Sequence, residues 1–173
     1  MSPNRAVMPS PENRCFEDYP EGAIFEFGDI AVTEADILDF AHRFDPQDMH
    51  TDREAAANGD FGGLIASGWH TGSLMMRLFA DHYLPKGGLA SPGIDELRWV
   101  RPVRPNDRLR IRITVLEARR SRSKPDRGLI RSAVEVLNQN DEPVMTLKPL
   151  TLHRCRNLFR RSDPAGATPE PPG

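Results

Sequence analysis

The sequence predicts an α+β fold in which one curved antiparallel sheet packs around a long, buried helix. Residues 108–115 alternate strictly between polar and apolar side chains, a pattern typical of a half-buried strand. Residues 67–84 carry apolar side chains around most of a helix circumference, so that helix needs to be covered on several sides. One strand precedes the helices and the other strands follow them, an order typical of α+β proteins.

Length and composition indicate one ordinary globular domain. The chain has 173 residues, of which 38% are hydrophobic and 28% charged, and its formal net charge is -2. A chain of this size can bury a sizeable core but is too short for two full domains. Because 23 Lys and Arg are offset by 25 Asp and Glu, we expect no nucleic-acid partner.

We expect the protein to be cytoplasmic and not to insert into a membrane. The most apolar stretch is interrupted by charged side chains, and the N-terminal residues lack the apolar run of a secretory signal. The two cysteines show no metal-ligand spacing and are compatible with a reducing compartment. We therefore predict a flexible N-terminal tail over residues 1–14, one domain over 15–157 and a flexible Pro-rich C-terminal tail over 158–173.

The first half of the domain predicts a strand and two helices before the long one. Residues 23–32 suit a strand, and Thr33 caps a helix whose apolar face ends at Phe44. Pro46 prevents simple continuation, so Asp45 lies at the helix exit. A second cap at Thr51 opens a short Ala-rich helix that residues 58–59 close, and His50 then lies just before a helix N-terminus.

The second half predicts four strands, of which the last three form an antiparallel meander. After the glycines at 87–88 the apolar period changes from helical to alternating, which indicates strands at 94–103, 108–115, 130–136 and 144–152. Turn-forming residues separate the last two of these strands. Neighbouring strands joined by such short connections pair in antiparallel fashion.

The residues of chemical interest are concentrated between Phe44 and Gly72, in FDPQDMHTDREAAANGDFGGLIASGWHTG. An Asp followed five residues later by a His is common by chance, but here a Gly-Gly pair and a helix entrance follow at Gly68. This arrangement resembles the MaoC-like acyl-CoA dehydratase and (R)-specific enoyl-CoA hydratase family. That family has an acidic residue and a histidine, a short helix, and then Phe-Gly-Gly-x-Ile-Ala-x-Gly. The resemblance implies a single hot-dog fold, a curved antiparallel sheet wrapped around a long central helix.

The resemblance also implies roles for individual residues. Asp45 and His50 would be the acid/base pair, and the backbone N–H of Gly68 would donate a hydrogen bond to the thioester oxygen. Further candidates for substrate binding are Gly62, Gly63, Ile65, Ser67 and Trp69. The expected partner is an acyl-CoA or acyl-carrier thioester, with coenzyme A only as part of the substrate and neither a metal nor a redox cofactor. A homodimer, or a higher oligomer, with sites shared by two chains is also implied.

The chain departs from the family pattern at two places that touch the site. Gln47-Asp48 stands where Asn-Pro is usual, and Ser67 stands where a histidine often precedes the helix glycine. Asp48 adds a third ionisable group, which we expect either to raise the pKa of Asp45 by like-charge repulsion or to replace it in its role.

A basic cluster is predicted in a loop between two strands; it comprises Arg119, Arg120, Arg122, Lys124 and Arg127. Such a run is typical of a solvated face. The alternative is a contact with the phosphates of coenzyme A, for which Arg122 and Lys124 are the candidates, because the planar guanidinium suits phosphate oxygens.

The predicted activity is the interconversion of a 2-enoyl thioester and its 3-hydroxyacyl form in fatty acyl metabolism, by acid/base addition or loss of water. Two alternatives stay open: a thioesterase in which the Asp45 region activates water against the carbonyl, and a non-catalytic module that binds acyl thioesters. The residues also allow a purely structural interpretation, in which Asp45 ends a helix and His50 lies in a surface loop. His70 and His82 suit packing or surface positions better than metal ligation.

Overall fold

The computed structural model describes residues 8–156. A 3-10 turn at Phe16–Asp18 precedes the regular elements. The helices are α1 (Glu34–Phe44), α2 (Asp48–Thr51), α3 (Arg53–Asn58) and α4 (Gly68–His82). The strands are β1 (Ile24–Ala31), β2 (Gly93–Trp99), β3 (Arg108–Arg120), β4 (Arg127–Leu137) and β5 (Pro143–Arg154).

The five strands form one sheet in the order β1-β3-β4-β5-β2, and every neighbouring pair is antiparallel. The predicted three-stranded meander is confirmed by β3, β4 and β5, whereas β2 pairs with β5 at the far edge and not with β3, which follows it in the sequence. The strands also differ from the prediction in length, as two examples show. β3 continues to Arg120 rather than ending at 115, because the ladder with β4 resumes after a bulge. β2 ends at Trp99 rather than at 103, and residues 100–107 connect it to β3.

Helix α4 forms the core together with the inner face of the sheet. It buries Met75, Leu78 and Phe79 among inward-facing strand residues such as Ile111 and Val134. Full burial of such a side chain stabilises the fold by roughly 1.5–3 kcal/mol. This packing confirms the α+β class and the long helix against a curved sheet that the hot-dog fold requires. The helix is buried on one side only, however, because Trp69, Ser73 and Met76 are exposed.

Helix α1 begins as predicted. The Thr33 hydroxyl accepts a hydrogen bond from the Asp36 backbone N–H at 3.1 Å, which satisfies one of the free donors of the first turn. Ile37 and Ala41 are buried, as the apolar face requires. Phe44 is 63% exposed, however, because the helix ends there and its ring lies beneath the Arg43 guanidinium instead of in the core.

The prediction for residues 48–58 was wrong in detail. Thr51 ends the extra helix α2, and its hydroxyl donates to the Gln47 carbonyl at 3.1 Å. Asp52 is the cap of α3, and its carboxylate accepts from the backbone N–H groups of Glu54 and Ala55 at 2.9 and 3.0 Å. His50 therefore lies within α2 and not before a helix N-terminus.

Residues 8–14 pack against the domain, whereas the sequence predicted a flexible tail there. The Arg14 side chain donates to the backbone carbonyls of Pro9 and His82 at 2.9 and 2.5 Å. The backbone N–H of Lys86 donates to the Pro11 carbonyl at 2.8 Å. The predicted tails over 1–7 and 158–173 lie outside the described residues. Across residues 8–156, no helix is long and apolar enough to cross a membrane.

Candidate active site

A cavity of about 460 Å³ lies where the α1–α2 connection, the start of α4 and the segment after β2 meet. Mainly apolar side chains line it, and a few polar groups face into it. The lining residues are Asp45, Gln47, Met49, His50, Phe61, Ile65, Ala66, Gly68, Trp69, Thr71, Trp99, Val100, Arg101, Pro102 and Val103. A mostly apolar pocket with a few convergent polar groups is the usual form of a small-molecule site.

Asp45 reaches the cavity from the C-terminal end of α1, where Pro46 stops the helix. Its Oδ2 accepts a hydrogen bond from the Ser67 hydroxyl at 2.6 Å, and its Oδ1 accepts one from the Gln47 amide at 2.7 Å. These two bonds, the Ser67 bond foremost, hold the pKa of Asp45 below its ordinary value of 3.8, although partial burial acts in the opposite direction. Asp45 is therefore a carboxylate at neutral pH.

His50 is 5% exposed, which excludes the surface-loop interpretation. Its Nδ1 lies 2.9 Å from the carbonyl oxygen of Ile65. A carbonyl oxygen can only accept, so Nδ1 carries the proton, and Nε2 of the neutral ring has a free lone pair. The backbone of Ile65 thus fixes both the tautomer and the orientation of the imidazole.

The structure brings Asp45 and His50 together, as the resemblance implied. Nε2 of His50 lies 3.5 Å from Oδ2 of Asp45, and both side chains line the cavity. This distance is longer than a good direct hydrogen bond and leaves room for both atoms to contact one water molecule at the cavity wall. A proton acceptor, His50 Nε2, and the Asp45 carboxylate thus lie side by side in the wall of a largely apolar pocket.

Gly68 is the first residue of α4, and it also lines the cavity. The first N–H groups of a helix lack partners in the preceding turn, and the helix dipole gives them additional positive character. Ser67, the N-cap, accepts from the Trp69 backbone N–H at 3.2 Å while its hydroxyl donates to Asp45. A single buried serine therefore joins the helix N-terminus to the carboxylate.

The other candidates of the Phe-Gly-Gly segment lie at different depths. Ile65 and Trp69 line the cavity, Ile65 buried and Trp69 61% exposed at the rim. Ser67 does not line the cavity; it donates a hydrogen bond to Asp45, which does. Gly62 and Gly63 form the turn before the cavity wall, with φ values of 62° and 149° that favour glycine, and they do not line the cavity either.

Asp48 does not act on Asp45 as expected. Its side chain is exposed and lines an adjoining pocket beside α3 rather than the cavity that contains Asp45. The pKa of Asp45 is lowered rather than raised. The turn of α2 between residues 48 and 51 accounts for this difference, because it directs residues 48 and 50 to different sides.

The structure also differs from the prediction that five basic residues lie together in one loop. Arg119, Arg120 and Arg127 belong to strands and form ion pairs with Glu117, Glu17 and Asp126, respectively. Only Arg122 and Lys124 lie in the loop between β3 and β4. Neither lines the cavity that contains Asp45; Arg122 lines a different groove beside Leu150 and Leu152.

The sequence analysis did not identify three residues that shape the candidate site. Gln47 was treated only as a departure from the family pattern, although an amide two residues after a carboxylate can bond to it. Arg104 donates to the Phe61 carbonyl at 2.6 Å and so holds the loop that carries the cavity wall. Trp99, at the end of β2, faces the cavity; nothing in the local sequence distinguishes it from an ordinary strand residue.

His70 and His82 have packing or surface positions, as predicted. His70 is buried and stacks on Phe40 with a centroid separation of 4.9 Å, and burial lowers its pKa. His82 stacks on Phe27 at 5.5 Å. Within residues 8–156, no group of three or more His, Cys, Asp or Glu side chains is arranged to hold a metal ion.

Comparison with known proteins identifies the family. The family model described as "MaoC like domain" matches residues 19–136. The crystal structure of the MaoC-like dehydratase from Rhodospirillum rubrum is 40% identical, with a TM-score of 0.78, over 83% of this chain and 98% of that one. The R-hydratase PhaJ1 from Pseudomonas aeruginosa is 27% identical, with a TM-score of 0.65, over 83% of this chain and 88% of that one.

A curated relative of similar length is the uncharacterized protein YdeM of Bacillus subtilis (strain 168), which is 30% identical over 129 residues. The match covers 74% of this chain and 90% of the relative. The family model, these similarities and the five-stranded sheet around α4 agree with one another, and the chain therefore belongs to the MaoC-like dehydratase family.

Proposed function

We propose that this protein catalyses the reversible addition of water to a 2-enoyl thioester, with the 3-hydroxyacyl thioester as product. The observation that carries this proposal is the position of His50 Nε2, 3.5 Å from the Asp45 carboxylate at the wall of an apolar cavity. Water held by both groups has a proton acceptor beside it, and the apolar lining suits an acyl chain.

In the hydration direction, the water oxygen forms a bond to C3 of the enoyl group while His50 Nε2 takes a proton from that water. The electron pair of the C2–C3 double bond moves towards the thioester carbonyl, whose oxygen gains negative charge. A proton from Nε2 then goes to C2, so that H and OH have been added and the thioester bond is intact. The ionised Asp45 orients the water and stabilises the positive charge on the ring during the transfer.

The negative charge on the thioester oxygen needs hydrogen-bond donors. The Gly68 N–H at the start of α4 supplies one, in a pocket where few other groups compete for the oxygen. The similarity to the R-hydratase PhaJ1 supports the assignment of a hydratase reaction. We propose coenzyme A or an acyl carrier as the thiol part of the substrate, and a reducing, cytoplasmic environment, in which the free thiols of Cys15 and Cys155 are stable.

The test is to incubate the purified protein with crotonyl-CoA and to follow the loss of the enoyl absorbance. We expect 3-hydroxybutyryl-CoA to form and no free coenzyme A to be released, as judged by chromatography of the products. Release of free coenzyme A would identify a thioesterase instead. Binding without any turnover would identify a non-catalytic module.

A further inference from the structure

The indole ring of Trp99 lies directly against Gly68. A Cβ atom built on Gly68 would be 2.5 Å from both Nε1 and Cε2 of that ring, far closer than real contacts of this kind. Position 68 therefore accepts only glycine while the ring stays in place. The consequence is that a side-chain N–H group lies next to the first N–H group of α4.

These two N–H groups are close enough to share one acceptor. In standard geometry a backbone N lies about 2.5 Å from the Cβ position of its own residue. Trp99 Nε1 lies 2.5 Å from the same Cβ position, so the distance from Nε1 to Gly68 N is at most about 5 Å, the sum of the two lengths. Two donors that each lie about 2.9 Å from a common oxygen can be up to about 5.8 Å apart. Both residues line the cavity that contains Asp45 and His50.

The indole N–H is available for a ligand. An indole nitrogen is a donor only, and within residues 8–156 no acceptor is paired with Nε1 of Trp99. The Trp69 ring contacts the Trp99 ring edge-on, with centroids 5.2 Å apart and an interplanar angle of 79°. Together with the contact against Gly68, this ring contact holds the indole beside the start of α4.

We propose that the Trp99 indole N–H donates a second hydrogen bond to the carbonyl oxygen of the substrate thioester, beside the bond from Gly68; this rests on the proposed hydratase function. Two fixed donors stabilise the enolate oxygen more strongly than one, because the charge on that oxygen develops only as the reaction proceeds. The competing role for Trp99 is that of an apolar wall for the acyl chain, and the two roles make different predictions.

The first experiment observes the indole directly. The chain has two tryptophans, so the ¹⁵N-labelled protein gives two indole N–H resonances, which the Trp69→Phe variant assigns. Butyryl-CoA is the unreactive probe, and S-butyl-CoA, a thioether that lacks the carbonyl oxygen, is its matched control. We expect butyryl-CoA to move the Trp99 indole proton downfield and S-butyl-CoA to do so much less. Equal shifts with the two ligands would overturn the second donor.

The second experiment measures turnover of crotonyl-CoA. Trp99→Phe keeps an aromatic ring and removes the donor; we expect kcat to fall on the order of a hundredfold and KM to change by less than about threefold. Replacement of Trp99 by 3-benzothienylalanine keeps the bicyclic shape against Gly68 and should give the same loss. If Trp99 serves only as an apolar wall for the acyl chain, we expect the reverse. Trp99→Phe would then raise KM, and the 3-benzothienylalanine variant would have normal kinetics.

The outcomes separate this inference from the proposed function. If the wild-type protein hydrates crotonyl-CoA and both Trp99 variants keep full kcat, the proposed role of the Trp99 indole N–H is wrong and the hydratase function stands. If the wild-type protein neither binds butyryl-CoA nor turns over crotonyl-CoA, both the role of Trp99 and the proposed hydratase function are wrong.

Discussion

At the scale of single residues, the Asp45 carboxylate is held by a donor on each of its oxygens, Ser67 on one and Gln47 on the other. Both donors occupy positions where this chain departs from the family pattern. Their bonds favour the ionised carboxyl, and so they define Asp45 as an acceptor of hydrogen bonds and not as a proton donor.

We predict that Ser67→Ala raises the pKa of Asp45 towards 3.8, because the Ser67 hydroxyl is the foremost cause of its lowered value. The contribution of this carboxylate to stability is present above the ordinary pKa and is lost as pH falls through the lowered folded pKa. The variant should therefore lose less stability on acidification. Carboxyl ¹³C NMR titration measures the midpoint, and Ser73→Ala on the exposed side of α4 is the control. An unchanged Asp45 midpoint in Ser67→Ala would contradict the prediction.

We predict that His50→Asn lowers turnover of crotonyl-CoA by roughly 10² to 10⁴-fold, because it removes the proton acceptor Nε2. The Asn amide can still donate to the Ile65 carbonyl in place of Nδ1, so thermal midpoints should move by only a few degrees. Asp45→Asn should cause a similar loss of turnover. His42→Asn, on the exposed face of α1, is the matched control and should keep full activity.

His50→Ala is a less suitable test of the same role, because His50 is buried and its ring bonds to the backbone. Truncation to alanine leaves the Ile65 carbonyl without its donor in a buried position, which costs about 1–3 kcal/mol. Full activity in both His50→Asn and Asp45→Asn would place the site elsewhere.

At the scale of elements, the strands and the two long helices follow directly from periodicity, whereas α2 does not. A four-residue helix has no apolar period to detect, and its cap, Gln47, makes no side-chain capping bond. The approach of Ser67 and Ile65 to the Asp45–His50 pair was equally hidden, because it depends on how α4 meets α1 in space. The identity of the pair could be predicted from the family pattern, but its protonation could not.

We predict that Thr33→Ala lowers the free energy of unfolding by about 1 kcal/mol, because the Asp36 backbone N–H loses its acceptor at the start of α1. The Asp45 end of the helix is held separately by Ser67 and Gln47, so activity well below the melting temperature should be unchanged. Chemical denaturation measures the stability, and Thr33→Ser, which keeps the hydroxyl, should be close to wild type. Equal stability of the alanine and serine variants would contradict the capping role.

At the scale of the whole molecule, one edge of the sheet carries exposed apolar side chains. β2 is an edge strand, and the apolar side chains on it and beside it are exposed: Ile94 by 51%, Trp99 by 48%, Val100 by 47% and Trp69 by 61%. Monomeric proteins rarely leave such patches uncovered, and an exposed edge strand invites pairing with another chain. The same patch forms the rim of the cavity, so a chain that covers it would also narrow the entrance to Asp45 and His50.

We therefore predict a homodimer in which the β2 edge and its apolar patch face a second copy of the chain, since an isologous contact buries the same patch twice. Light scattering at micromolar concentration should give about twice the chain mass of 19.4 kDa. Ile94→Lys places a charge in the patch and should shift the protein towards the monomer. Leu116→Lys is the matched control: Leu116 is 44% exposed on β3, which β4 and β5 separate from β2, so its dimer should persist. A monomeric wild type, or equal dissociation of the two variants, would show that this patch is not the interface.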